Sequence, residues 1–236
     1  MNPTRPRIAL IHALTHSLLP INSALARDWP QALRMNLLDD SLSADLERAA
    51  GVLDDAMTAR FQALGDYAVA NGADAILFTC SAFGPCIDAV ARRHIGLPVL
   101  KPNQAIIEDA AAMGLQVGLV ASFAPTLRSM PPEFPAPVAL RTALTEAALA
   151  ALDAGDIDQH NRLVADAAAG LGALGCGVIA LAQFSMACAA PLVRARTGLP
   201  VLTTVDSAVA KLRRLLGDGA GDSAGDPAGT LPGASR

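Results

Sequence analysis

Two stretches of this chain repeat one another. ADAILFTCSAFGPCIDAVARRHIGLPVL (73–100) and CGVIALAQFSMACAAPLVRARTGLPVL (176–202) each run from a short apolar segment through a turn into a helix with a basic end. Both then close on GLPVL. Matching Asp74 to Gly177 sets Cys80 opposite Gln183, with one residue gapped before the GLPVL elements align. Two ordinary strand–helix–strand units can look alike by chance. The shared GLPVL at corresponding points favours a duplication. A duplication predicts two similar halves about a pseudo-twofold axis, with the turns Thr79–Ala82 and Ala182–Ser185 facing each other across one cleft. The second half then begins near Gln104, and a last helix returns to cover the first.

Short apolar runs alternate with amphipathic stretches along the chain, the pattern of parallel sheets covered on both faces. Strands are predicted at Arg7–Ala13, Ala73–Thr79, Pro98–Leu100, Gln116–Ala121, Val138–Thr142, Gly177–Ala182 and Pro200–Thr203. Helices are predicted at Ser43–Asn71, with Ser43 as N-cap, and at Pro85–His94, Gln104–Met113, Thr145–Leu152, Asp156–Leu174, Ala189–Thr197 and Ser207–Leu216. Residues 14–42 receive no element. Pro131–Pro137 reads as a loop, because proline fixes φ and donates no hydrogen bond. The expected fold is α/β, two similar three-layer (αβα) parallel-sheet halves with the active site in the cleft between them. The expected division is 1–102 plus 204–216, then 103–203. Residues 217–236, rich in Gly, Ala, Asp, Ser and Pro, read as a disordered tail.

Hydrophobic residues make up 52% of the 236 and charged residues 17%, enough apolar material for a core. The net charge of −4 and the lack of a long basic run argue against a nucleic-acid partner. No apolar run is long enough to span a membrane. The basic start with its short apolar run faintly resembles a signal peptide. His12 and His16 interrupt that run and no small-residue cleavage site clearly follows, so a first strand in a cytoplasmic protein is the better reading. Cys80, Cys86, Cys176 and Cys188 have no CxxC spacing, which argues against zinc or a disulfide framework and fits a reducing compartment.

Ligands of such folds bind beyond the carboxyl ends of the strands, so the chemistry is sought just after ADAILFT, QVGLVA and GVIALA. Three motifs stand there: FTCSA at 78–82, ASFAPTLRS at 121–129 and LAQFSM at 181–186. Their order and spacing on a duplicated chain resemble the aspartate/glutamate/hydantoin racemase superfamily over about residues 7–216. That resemblance implies a cofactor-independent mechanism, without pyridoxal phosphate or metal, in which two cysteines flank the α-carbon of a small acid. Cys80 matches the first, and a nearby helix N-terminus is expected to lower its pKa. Gln183 stands where the second is common, and an amide carries no proton at neutral pH; it can instead hydrogen-bond a carboxylate or enediolate. The superfamily also holds one-cysteine decarboxylases and cis–trans isomerases. The expected activity is therefore isomerase- or racemase-like, at the carbon next to the carboxylate of a small amino or hydantoin-type acid, with Cys80 as base or nucleophile. A decarboxylase of a malonate-like acid and a non-catalytic small-acid binding protein are the alternatives. A homo-oligomer is compatible with all three.

Of the remaining candidates, Ser122 and Thr126 suit a carboxylate near a helix start, or simple capping. Thr15, Ser17, Ser81, Ser185 and Asn103 offer polar groups at the same mouth. His12 and His16 suit either a proton shuttle or an ordinary loop position. Arg128 suits a second carboxylate or, more usually, solvent. Cys86 and Cys176 read as structural, Cys188 as a packed helix thiol or a substitute acid, and His94 and His160 as surface positions.

Overall fold

The computed structural model describes residues 5–217. The first half opens with β1 (Arg7–His12), α1 (Leu18–Asp28) and β2 (Leu33–Leu38), then α2 (Ser41–Arg48) and α3 (Asp55–Ala70). It continues through β3 (Ala75–Phe78), α4 (Gly84–Arg93) and β4 (Val99–Leu100). After α5 (Gln104–Ala112) come β5 (Val117–Ala121), α6 (Ala124–Ser129), β6 (Leu140–Leu144), α7 (Glu146–Asp153) and α8 (Ile157–Ala173). The chain then runs through β7 (Val178–Leu181), α9 (Ala190–Thr197), β8 (Val201–Thr203) and α10 (Thr204–Gly217).

The strands form two four-stranded parallel sheets, β2-β1-β3-β4 and β6-β5-β7-β8. The identical order is what the repeat predicts. β3, β5 and β7 are wholly buried and β1 nearly so, as parallel strands covered on both faces must be. Of the expected tail, all but Gly217 lies outside the described residues. Among those residues no helix is long and apolar enough to cross a membrane.

Two expectations are corrected. The single helix over 43–71 is two helices, because Ala50 and Gly51 take left-handed φ values of 51° and 83° and turn the chain. Asp54 caps α3 by accepting from the Met57 amide, whereas the Ser43 hydroxyl donates to the Ala13 carbonyl and caps nothing. The unassigned stretch holds α1 and β2. β2 is an edge strand whose side chains alternate between half-buried and exposed, and its polar residues break the apolar run that marks the central strands.

Each sheet packs on both faces. Ile8 and Leu10 of β1 and Ala75 and Leu77 of β3 meet α1 and the α10 residues Val205, Ala208, Val209 and Leu212. The opposite face, with Ala9, Ile11, Ile76 and Phe78, meets α2, α3 and α4. The second sheet packs in the same way between α8–α9 and α5. α3 and α4 lie so close that a Cβ on Gly65 would stand 2.6 Å from Val90 Cγ1.

Candidate active site

The loops at the carboxyl ends of β1, β3, β5 and β7 meet crosswise between the halves. The turn after β3 packs on α6 of the second half, and the 3-10 turn Thr15–Ser17 after β1 packs on the 3-10 turn Phe184–Ala189 after β7. Cys80 and Gln183 occupy equivalent places. Each lies two residues past its strand, in extended backbone (φ −120° and −134°), at the head of a 3-10 turn.

Cys80 is partly buried beside Phe78, and Ile11, His12, Ala13, Leu42 and Phe61 complete the wall around it, leaving less than a water's width. Burial in this apolar wall pushes the thiol up to about 11, against one favourable hydrogen bond from the Ala82 backbone. The expectation of a lowered pKa is thus overturned. α4 starts only at Gly84, so its N-terminal amides are spent four residues beyond the thiol, and only a three-residue 3-10 turn follows Cys80 directly.

Ser81 Oγ lies 3.4 Å from Thr126 Oγ1, joining the Cys80 turn to the second half. Thr126 and Ser122 are buried, Ser81 and Ser185 partly buried, and Thr15 exposed at the rim. Gln183 Oε1 accepts from the Ser122 amide at 2.6 Å and from the Ser122 hydroxyl at 3.1 Å. The amide expected to face a ligand is therefore tied to its own half by two donors.

His12, fully buried at the end of β1, is the hub of a polar chain. Nδ1 lies 3.0 Å from Thr79 Oγ1 and 3.3 Å from Ser17 Oγ, and Nε2 lies 3.0 Å from Asn36 Oδ1. The Asn36 oxygen also accepts from Asn22, and the Ser17 hydroxyl donates to the Leu14 carbonyl. With Asn36 presenting its oxygen, Nε2 carries the proton, and the bare Nδ1 lies beside the Thr79 hydroxyl, which donates to Ser17 Oγ at 2.9 Å. Burial holds the ring below its ordinary value, hence neutral. The chain also fixes Thr79, the residue before Cys80.

His16 pairs with Asp153, at the end of α7 in the second half, at 2.8 Å. Asn103 is buried beside Glu133, whose carboxyl burial pushes up, and Asn103 Oδ1 has no partner. Arg128 is exposed. Cys86 and Cys176 are buried in the cores, while Cys188 is exposed on its 3-10 turn, 3.3 Å from Asn161 Oδ1 of α8. Two histidines expected at the surface are not there. His160 is fully buried against the Ala148 carbonyl, and His94 is largely covered beside Asp66. Sequence reasoning missed Asn22, Asn36, Leu42 and Phe61. Only the alternation LRMNLL signals Asn36, by marking an edge strand. Among the described residues no group of three His, Cys, Asp or Glu is placed to hold a metal.

The profile of the family Asp/Glu/Hydantoin racemase matches residues 20–212. The chain belongs to that family. Among curated proteins none matches it significantly in sequence. Among solved structures it is similar to Picrophilus torridus aspartate racemase, with TM-score 0.70 and 12% identity over 90% of this chain and 94% of that one. It is similar also to glutamate racemase isoform RacE1 from Bacillus anthracis, with TM-score 0.65, 13% identity and coverage of 92% and 84%. Unliganded arylmalonate decarboxylase gives TM-score 0.62 and 16% identity, with coverage of 93% and 96%. At such identities these likenesses carry the two-half fold, with its paired parallel sheets.

Proposed function

We propose that this member of the racemase family is a cofactor-independent enzyme acting at the carbon next to the carboxylate of a small acid, with Cys80 as its single proton-carrying or nucleophilic group. The observation that carries the reading is the unequal pair at the heads of the two turns. One member is a thiol and the other an amide already bonded within its own half. A proton on a carbon beside a carboxylate is very weakly acidic, so its removal needs a positioned base and donors for the growing oxyanion charge. Ser81 and Thr126 bring two hydroxyls together beside Cys80 and suit that second task.

At pH 7, four units below a pKa of about 11, roughly one molecule in ten thousand carries the thiolate. The resting group is a neutral thiol, so a cycle that begins by proton abstraction starts from a rare but strongly basic form. A single thiol works from one face of the α-carbon, so exchange with retention is expected in place of two-thiol racemisation. The functional unit divides into 1–102 with 204–216, and 103–203; the packing of α10 in the first core supports this. Four free cysteines agree with a reducing, cytoplasmic setting.

Three single variants test the reading. Cys80→Ala should abolish turnover of a 2-substituted acid, while Cys86→Ala and Cys176→Ala, altering only core thiols, should keep it. Full turnover by Cys80→Ala would overturn the assignment.

A further inference from the structure

We propose that Gln183 is a built-in occupant of one of the site's two oxyanion positions, and that it restricts the protein to acids with a single carboxylate and an apolar substituent. The inference rests on the reading of this cleft as the site for a small acid. Ser122 follows β5 directly and offers a backbone N–H and a hydroxyl, two donors set as a carboxylate oxygen requires. Both are filled by one oxygen of this chain, Gln183 Oε1, at 2.6 and 3.1 Å. That oxygen is neutral, fixed by the residue's place at the head of its turn, and already satisfies the donors. A carboxylate arriving there must break both bonds and strand the amide. The Ser81–Thr126 hydroxyl pair, which keeps no such occupant, remains for one carboxylate.

Charge points the same way. Thr15, Ser17, Ser81, Ser122, Thr126, Gln183 and Ser185 are all uncharged, and burial keeps His12 neutral. The wall of Ile11, Ala13, Leu42, Phe61 and Phe78 around Cys80 is closed and apolar, and offers a second carboxylate neither room nor a cation of its own. An apolar substituent needs no such partner. Leu14 and Phe123, large apolar side chains exposed on the loops directly after β1 and β5, extend the same character to the rim. The assignment therefore sets the malonate-like alternative, and acidic amino acids, below monocarboxylates as substrates.

Calorimetric titration of the full chain with phenylacetate and with phenylmalonate tests this, in the wild type and in Gln183→Ala and Gln183→Ser. The two variants guard against a folding defect in either, and each is first checked by its thermal transition. Wild type should bind phenylacetate at least tenfold more tightly than phenylmalonate. A folded variant, its Ser122 donors freed, should gain at least tenfold in phenylmalonate affinity and stay within threefold for phenylacetate. Equal or tighter wild-type binding of phenylmalonate, no gain in a folded variant, or no binding of either acid would each overturn the proposal. Cys80-dependent hydrogen exchange at the α-carbon, measured separately, tells whether only the role of Gln183 fails or the acid-site reading with it.

Discussion

Raising the pH should switch on Cys80 far later than an ordinary thiol. The apolar wall of Phe61, Phe78, Leu42 and Ile11 disfavours the thiolate and moves the group from an ordinary 9.0 to about 11. At pH 7.5 this leaves about 100-fold less thiolate than in an exposed thiol of ordinary pKa. Nucleophilicity rises with basicity, with a Brønsted slope of about 0.4–0.5, which returns about eightfold. The net expectation is alkylation about tenfold slower than a small reference thiol, before any steric hindrance. Hindrance lowers the rate at every pH, but burial moves the midpoint, and the midpoint is the diagnostic. Peptide-resolved mass spectrometry of iodoacetamide labelling between pH 7 and 11 reads it directly. The log rate at Cys80 should climb with unit slope until about pH 11. A plateau below pH 9 would refute the argument from burial and restore a thiolate activated by its turn.

Two further predictions concern the frame around the site. Gly65→Ala places a methyl 2.6 Å from Val90 Cγ1, and prying α3 from α4 should cost about 1–3 kcal/mol, less up to about 1 kcal/mol of helix propensity regained. A melting temperature lowered by a few degrees is expected, and an unchanged or higher one would mean the helices pack less tightly than described. His12 is held below its ordinary 6.5 by burial, so the unfolded chain takes up a proton there before the folded chain does, and stability falls as pH drops below 6.5. His12→Gln removes that titration. Its melting temperature should vary less than wild type's between pH 6.5 and 5, and parallel curves would place the acid sensitivity elsewhere.

The central strands are legible because β3, β5 and β7 are continuous apolar runs, and the repeated GLPVL implies the two-half architecture. The edge strand β2 is signalled only by the alternation of LRMNLL, because the exposed Arg34, Asn36 and Leu38 interrupt the apolar run that marks the central strands. The break at Ala50–Gly51 is not legible, since it rests on two backbone angles inside an otherwise helical pattern. In the site, strand ends pointed to Cys80, Ser81, Ser122, Thr126 and Gln183. Their chemical state depends on residues far away in sequence. Burial beside Leu42 and Phe61 raises the pKa of Cys80, Asn36 fixes which nitrogen of His12 carries the proton while burial keeps the ring neutral, and Gln183 is tied to Ser122, 61 residues away. His160 was misplaced for the same reason, because its helix turns a polar residue inward to meet the Ala148 carbonyl.

The most direct test of a one-thiol enzyme is hydrogen exchange at the α-carbon in deuterated water, followed by proton NMR for each enantiomer of a 2-arylpropionate. Wash-in from one enantiomer only, with its configuration retained and the signal lost in Cys80→Ala, is the predicted result. Equal wash-in from both enantiomers, or exchange undiminished in Cys80→Ala, would contradict the account.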